Sequence, residues 1–334
     1  MKRTVLFRVD GGKVFGISMG HIKRCLILAK ALADTYKTVF IMKEYTDGIS
    51  FVKQQGMAVE SISIDDNSED TMVELCEKHS PEKIIFDLQS NTYKTFFEYA
   101  KTKKIQSIIF DITGNYVGIP DILINDSFVK EFTLYPHLDG RTQLYMGPDY
   151  FLMEARPEFS PIRKDVADIM VTQGGSDPTG LTITILSCIK SVDFQHNVNV
   201  VLGPLFTDNR ALYDVIGDDN RFHIYKNPDD FLQLVSRQDI VITAAGRTLY
   251  ECGCLGRPVI VTPSIEHEAV TAKEYSRLTG CCNIGLWYAS TSPSKLVNAL
   301  YAYRDSFFLR NSVSEKGRKI FDGNALERIV ALIN

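Results

Sequence analysis

The stretch Thr4-Val-Leu-Phe-Arg8-Val-Asp10-Gly-Gly12-Lys-Val-Phe-Gly16-Ile-Ser-Met-Gly20-His21-Ile-Lys-Arg24 reads as a strand, a glycine-rich turn and the start of a helix. Thr4–Arg8 is a short apolar, partly β-branched run. His21–Ala33 then places Ile22, Cys25, Leu26, Ala29 and Leu32 on one helical face. This is the opening βα unit of a doubly wound α/β domain, whose ligands lie at the carboxyl end of the first strand. The glycines let the backbone turn tightly and approach a ligand. Gly20 falls at a helix N-terminus, where unpaired N–H groups and the dipole favour negative charge. His21 is the one titratable group there able to exchange a proton near neutrality, which makes it the candidate general base, with Asp10 and Arg24 as candidate substrate contacts. A glycine turn whose histidine merely caps or packs fits the same spacing, and the GxGxxG dinucleotide fingerprint is not matched.

Outward from this unit the alternation continues. Thr38–Met42, Glu60–Ile64, Lys83–Asp87 and Gln106–Asp111 are strand candidates, with helical patterns at Ile49–Gln55, Thr71–His79 and Thr92–Lys103. Continuous apolar strands suit a parallel sheet covered on both faces. Asp126–Arg141 reads as irregular, and Met146–Pro161, with its three prolines, reads as a linker. Strand candidates resume at Asp168–Thr172, Asn197–Leu202, Phe222–Tyr225, Ile240–Thr243 and Pro258–Thr262, with helices at Leu181–Ile189, Pro228–Val235 and Arg247–Cys254. Asn227 before Pro228 predicts a capped helix start. Asn324–Ile333 is a last amphipathic helix. The expected architecture is two Rossmann-like, doubly wound parallel-sheet domains facing across a cleft: 1–152, 160–322, and a final helix at 323–334.

Composition narrows the function class. With 334 residues, 45% hydrophobic and 23% charged, the chain matches an ordinary globular protein rather than a disordered, collagen-like or coiled-coil one. Its 37 basic and 41 acidic residues give a net charge of −4, so no global field favours nucleic acid or an anionic membrane. The N-terminus turns charged again after three apolar residues, too short for a signal peptide. No run approaches the ~20 apolar residues that span a bilayer. Seven cysteines, an odd number, argue against a disulfide framework and for a reducing cytoplasm. Cys252-x-Cys254 and Cys281-Cys282 lack the spacer of a zinc knuckle and read as small buried residues, so neither metal nor cofactor is expected.

Two junctions in the second half can receive an anion, and a third segment adds polar groups at the same edge. In Val171-Thr-Gln-Gly174-Gly175-Ser176-Asp177-Pro178-Thr179 the glycines permit close approach, while Ser176 and Thr179 either donate to phosphate or cap the next helix. In Ile242-Thr-Ala-Ala-Gly246-Arg247-Thr248-Leu-Tyr-Glu251, a helix begins with Arg247, able to grip a phosphate bidentately, and Thr248. Glu251 lies one turn on, where a carboxylate accepts from ribose hydroxyls or simply faces solvent. Pro263-Ser-Ile-Glu266-His267-Glu268 adds His267 and Glu268 at the same edge. His79, His137, His196 and His223 have no such setting.

These segments together resemble the UDP-2,4-diacetamido-2,4,6-trideoxy-β-L-altropyranose hydrolase family of pseudaminic acid biosynthesis, with its spore-coat polysaccharide relatives. The matching stretches are Arg8-Val-Asp10, Gly20-His21-Ile-Lys-Arg24-Cys-Leu, Gly147-Pro-Asp-Tyr150, Arg156-Pro-Glu-Phe159, Gly174-Gly-Ser-Asp-Pro178 with Leu181-Thr182, Gly246-x-Thr248-x-x-Glu251 and Asp322-Gly323. The family is similar in fold to GT-B glycosyltransferases, especially the peptidoglycan N-acetylglucosaminyltransferase. The resemblance implies nucleotide held mainly by the second domain, sugar in the cleft, and a last helix free to cross back to the first domain. It further implies a metal-independent reaction in which water attacks the anomeric carbon and UDP leaves. His21 matches the family's general base, Glu251 its ribose contact, and Gly174, Gly175 and Ser176 its phosphate turn. The chain departs from the family pattern at Ser18, Leu88-Gln89, Ala245-Gly246-Arg247 and Glu266-His267-Glu268, all near the sugar or diphosphate, with Gln89 the candidate sugar contact.

The expected activity is that of a cytoplasmic nucleotide-sugar hydrolase, with a UDP-sugar as partner. The alternatives are a GT-B glycosyltransferase using the same base on a sugar acceptor, and a catalytically silent sugar-nucleotide-binding protein.

Overall fold

The computed structural model describes residues 2–12, 19–88, 93–111, 118–138, 140–154, 157–204, 206–207 and 210–334. Ser18, Gln89 and Arg156 lie outside them. The chain divides into two compact units, Met1–Glu154 with Gly323–Asn334, and Ala155–Asp322.

The first unit is a seven-stranded, wholly parallel sheet. Its strands are β1 (Arg3–Val9), β2 (Tyr36–Lys43), β3 (Ala58–Ile62), β4 (Lys83–Asp87), β5 (Gln106–Phe110), β6 (Ile122–Asn125) and β7 (Gln143–Met146), in the order β3-β2-β1-β4-β5-β6-β7. Helices α1 (Gly20–Leu32), α2 (Thr46–Gln54), α3 (Glu69–His79) and α4 (Phe96–Thr102) connect the first five. Alternate residues of β1 go to opposite faces, as the two-residue period of a strand requires. Val5, Phe7 and Val9 meet Ile22, Cys25, Leu26 and Ala29 of α1, whereas Leu6 meets Met72 and Cys76 of α3 and Phe96 and Phe97 of α4. Both faces are therefore dry, which is why these strands lack polar alternation. Gly48 of α2 is packed so tightly over the first turn that a Cβ there would stand 1.8 Å from the Gly11 carbonyl oxygen.

The second unit is a six-stranded parallel sheet of β8 (Asp168–Thr172), β9 (Asn197–Leu202), β10 (Phe222–Lys226), β11 (Ile240–Thr243), β12 (Val259–Val261) and β13 (Cys282–Asn283), ordered β10-β9-β8-β11-β12-β13. Its helices are α5 (Leu181–Lys190), α6 (Arg210–Ile216), α7 (Phe231–Ser236), α8 (Arg247–Leu255), α9 (Glu266–Thr279), α10 (Ser292–Asp305) and α11 (Phe307–Ile320). Three arginines fasten the proline-bearing segment before β8 to this unit. Arg163 pairs with buried Asp239 at 2.6 Å, Arg257 donates to the Ser160 carbonyl, and Arg310 donates to the carbonyls of Arg163 (3.0 Å) and Lys164 (2.6 Å).

The final helix, α12 (Ala325–Ile333), buries Ala325, Ile329 and Ile333 in the same core as α1, and Arg328 donates to the Asp149 carbonyl at 3.0 Å. Burying an isoleucine side chain contributes about 1.5–3 kcal/mol, so Ile329 and Ile333 are the main anchors of this helix.

The irregular segment 126–141 is flanked by β6 and β7, strands of four residues each that are not among the strand candidates. Two local readings need correction. The helix after Asn227 starts only at Phe231, because Asn227 takes a left-handed φ of 43° instead of the extended cap geometry. In the helical pattern Thr92–Lys103, whose first residue lies outside the described ones, the helix starts at Phe96. Among the described residues no helix is long and apolar enough to cross a membrane. Cys252, Cys254 and Cys281 are buried free thiols, with burial pushing Cys281 up to about 12, and no cluster of the described residues is suited to a metal ion.

Candidate functional site

The first sheet reverses its strand order between β1 and β4, the topological switch point at which open α/β sheets bind ligands. α1 begins there without a side-chain cap from Met19. His21, in its first turn, places Nδ1 2.6 Å from Oδ1 of Asp87, the last residue of β4. Asp87 is 0% exposed, and Arg24, one helical turn beyond His21, clamps it. Arg24 Nε donates to Oδ2 at 2.6 Å and Nη2 donates to Oδ1 at 2.7 Å, a planar two-point pairing. The remaining arm of Arg24, Nη1, donates to Asp126 Oδ2 at 3.3 Å, and the Phe110 ring centre lies 5.1 Å from the guanidinium carbon.

Burial by itself would raise the Asp87 pKa. The charges of Arg24 and His21, with their hydrogen bonds, outweigh it and hold the carboxyl well below the usual range. Burial likewise works against the charge of Arg24, and Asp87 and Asp126 overcome it. An ionised Asp87 only accepts hydrogen bonds, so His21 carries its proton on Nδ1 and keeps the Nε2 lone pair as its basic atom. The imidazole is 16% exposed, which leaves an edge open to small molecules.

Two sequence candidates sit here in altered roles. Arg24, read from sequence as a substrate contact, is 3% exposed with all three arms turned inward to carboxylates. Asp10 accepts from Arg8 Nη1 at 2.6 Å and Nη2 at 2.8 Å, and from the Lys43 amide at 2.8 Å. Arg8 is itself buried and donates to the Tyr93 hydroxyl at 3.2 Å, so Asp10 fixes the first turn from beneath. Asp87 and Asp126 were not singled out from sequence. Their signal is a lone acid closing an apolar strand, Lys-Ile-Ile-Phe-Asp87 and Ile-Leu-Ile-Asn-Asp126.

The second sheet has its own switch point, between β8 and β11. Gly174, at φ 73°, turns the chain after β8, and the neighbouring turn is so close that a Cβ on Gly203 would lie 2.4 Å from the Gly174 carbonyl oxygen. Gly175 and Ser176 are exposed. The α5 start is closed by Asp177, whose Oδ1 and Oδ2 accept from the amides of Leu181 (2.8 Å) and Thr182 (2.9 Å). Neither Ser176 nor Thr179 makes that cap. The α8 start, in contrast, has Gly246 at its cap position and no side-chain cap. Arg247, Thr248 and Glu251 are half-buried along its first turns. Beneath this turn Gln173 Nε2 donates to Thr262 Oγ1 at 2.9 Å, crossing from the end of β8 past β11 to the end of β12. Glu268, expected at the ligand, instead folds back to accept from the Ser264 amide (2.8 Å) and hydroxyl (3.0 Å), and His267 is exposed.

No family model matches the chain. It is 24% identical over 331 residues to the spore coat polysaccharide biosynthesis protein SpsG of Bacillus subtilis, covering 97% of this chain and 96% of that one. It is 27% identical over 159 residues to the Helicobacter pylori protein named pseudaminic acid cytidylyltransferase and UDP-2,4-diacetamido-2,4,6-trideoxy-beta-L-altropyranose hydrolase, covering 45% of this chain and 28% of that protein. The chain is related to both. Among solved structures, MurG of Acinetobacter baumannii matches with a TM-score of 0.70 at 14% identity, covering 99% of each chain. The calicheamicin glycosyltransferase CalG4 matches with a TM-score of 0.67 at 12% identity, covering 100% of this chain and 98% of that one. The fold is therefore that of GT-B glycosyltransferases.

Proposed function

We propose that the protein is a nucleotide-sugar hydrolase of surface-polysaccharide or nonulosonic acid biosynthesis, releasing free sugar and a nucleoside diphosphate, most simply UDP. The observation that carries this reading is the His21–Asp87 pair at 2.6 Å, with Asp87 locked by Arg24. The relatives support the class: one is named for spore coat polysaccharide biosynthesis, and another carries hydrolysis of a UDP-linked diacetamido sugar in its name.

In the proposed reaction a water oxygen bonds to the anomeric carbon while the bond from that carbon to the diphosphate oxygen breaks. The electron pair of that bond goes to the leaving diphosphate, and the water proton goes to His21 Nε2. Asp87 keeps the ring in the productive tautomer, and general-base help of this kind is typically worth ~10²–10⁴-fold. The α8 start, with Gly246, Arg247 and Thr248, is the candidate holder of the diphosphate, since a helix N-terminus without a side-chain cap and a guanidinium offset the departing charge. Glu251 is the candidate ribose contact, and Gly174, Gly175 and Ser176 the phosphate turn.

A second reading, a glycosyltransferase in which Nε2 deprotonates a sugar hydroxyl, is favoured by the full-length likeness to CalG4. Incubation with a panel of nucleotide sugars and no acceptor separates the two. Free UDP from one diacetamido sugar supports the hydrolase, and release only after an acceptor is added supports the transferase. Binding of UDP with no turnover under either condition overturns both.

A further inference from the structure

The first sheet has a second edge, at the amino ends of its strands. There the starts of β4, β5 and β7 and the residue before β6 enclose, with the end of α4 and the turn after it, a cavity of about 480 Å³. That volume lies in the range of small-molecule sites. Lys83 and Asp87 are the first and last residues of β4, so this cavity and the His21 pair are separated by about 13 Å along one strand.

Each acceptor side chain lining the cavity already takes hydrogen bonds from the protein. Glu82 Oε1 accepts from Arg3 Nη1 at 2.9 Å and lies 3.3 Å from the Lys83 ammonium. Asp121 Oδ2 accepts from the Ser107 amide (2.8 Å) and hydroxyl (2.9 Å). The side-chain oxygen of Gln106 accepts from Lys83 Nζ at 2.8 Å, and that of Gln143 accepts from the Tyr145 hydroxyl at 3.0 Å. The donors are left over. With their oxygens held, Gln106 and Gln143 each keep an amide NH₂ that donates to none of the described residues. Lys101 and Lys104 are exposed, and neither ammonium has a hydrogen bond or ion pair among the described residues. With Lys83, three ammonium groups meet two carboxylates, and Arg3 holds one of those.

The backbone fixes where these donors stand. After α4, Lys104 takes a left-handed φ of 58°, its amide donating to the Lys101 carbonyl at 3.1 Å and that of Ile105 to the Ala100 carbonyl at 2.8 Å. The same turn occupies the last carbonyls of the helix, whose negative pole would otherwise oppose an anion.

We propose that this cavity is a second ligand site, which binds a sugar phosphate. A dianionic phosphate matches the surplus of ammonium groups, with Lys101 and Lys104 as its holders. Sugar hydroxyls, donors and acceptors at once, suit the NH₂ groups of Gln106 and Gln143 beside the Asp121 carboxylate.

The proposal does not depend on the activity assigned to His21, and neither does its test. Glucose 6-phosphate is titrated into ¹⁵N-labelled protein while the amide signals of Lys104, Ile105 and Gln106 are followed by NMR. Saturable shifts are expected, with inorganic phosphate binding about tenfold more weakly and glucose giving no shift over the same range. Lys101→Gln combined with Lys104→Gln should weaken glucose 6-phosphate binding about tenfold or more. Both side chains are exposed, so the variant keeps its fold. Arg247→Met, at the candidate diphosphate holder, should leave these shifts unchanged. Absence of saturable shifts overturns the proposal, as does undiminished binding by the double variant. Equal affinity for inorganic phosphate overturns the assignment of a sugar phosphate. Loss of the shifts in Arg247→Met overturns the site itself, because the ligand would then be held at the α8 start.

Discussion

At the carboxyl edge of the first sheet, aspartates stand at four strand ends: Asp10, Asp87, Asp111 and Asp126. At the same edge of the second sheet the corresponding ends carry Gln173, Thr243 and Thr262, between the turns of Gly174–Gly175 and Gly246. The two sheets share one topology, with a strand-order reversal at the same place, and differ in the charge laid along it. The acids of the first edge hold Arg8, Arg24 and the His21 imidazole, whereas glycine turns and an uncapped helix start favour an anion. On the proposed function, proton chemistry belongs to the first unit and anion holding to the second, and that division is open to direct attack.

The largest expected effect comes from His21→Gln, which should reduce release of nucleoside diphosphate by about 10²–10⁴-fold. Calorimetric affinity for UDP should stay within about twofold of wild type, because the proposed function puts the anion at the other edge. A comparable loss of UDP affinity would break the division between the units.

Next comes Asp87→Asn, which leaves the buried Arg24 short of its main counter-charge. Breaking such a pair typically costs about 3–5 kcal/mol, readable in urea unfolding. Its pH dependence has a definite sign. The folded Asp87 pKa lies well below that of a free carboxyl, so the unfolded chain takes up the proton first as pH falls. The contribution of Asp87 is therefore complete above roughly pH 4, the ordinary range for aspartate, and is lost progressively below it. Wild-type stability should decline below that point, and the decline should be shallower in Asp87→Asn.

A smaller effect is expected from Arg247→Met. Charge-assisted hydrogen bonds are worth about 1.5–3 kcal/mol, so UDP affinity should fall roughly tenfold to a hundredfold. An unchanged UDP affinity would remove the anion-holding role from the second edge.

The smallest is Asp177→Ala. It removes the acceptor for the Leu181 and Thr182 amides and should cost about 1 kcal/mol of stability, as helix caps typically do. Turnover at saturating substrate should be little changed. A severe loss of activity in a stable variant would instead make this turn, rather than the α8 start, the principal phosphate holder.

Much of this architecture is legible in the chain. The strands Lys83–Asp87, Asp168–Thr172, Asn197–Leu202 and Ile240–Thr243 are readable to the residue, because a strand buried on both faces is a short, largely apolar run rich in β-branched residues. Strands β6 and β7 escape because four residues carry too little periodicity to stand out from a loop. Asn227 misleads because a good capping residue before proline is also at ease in a left-handed turn. At the sites, His21 and the three glycine turns announce themselves locally. Glu268 and Arg24 are also conspicuous, yet their polar atoms are used within the fold.

The sequence by itself therefore determined the βα alternation, the place of His21 at the first helix start and the position of each glycine turn, since all follow from spacing along the chain. The tertiary structure decided what His21 touches. Asp87 is 66 positions from His21 and Asp126 is 102 from Arg24. Parallel pairing places β1 beside β4, with β5 and then β6 beyond it, and so carries these residues to one sheet edge. Burial then turns that proximity into chemistry, because charges removed from water must find partners, and here Asp87 holds both the Arg24 guanidinium and the His21 imidazole.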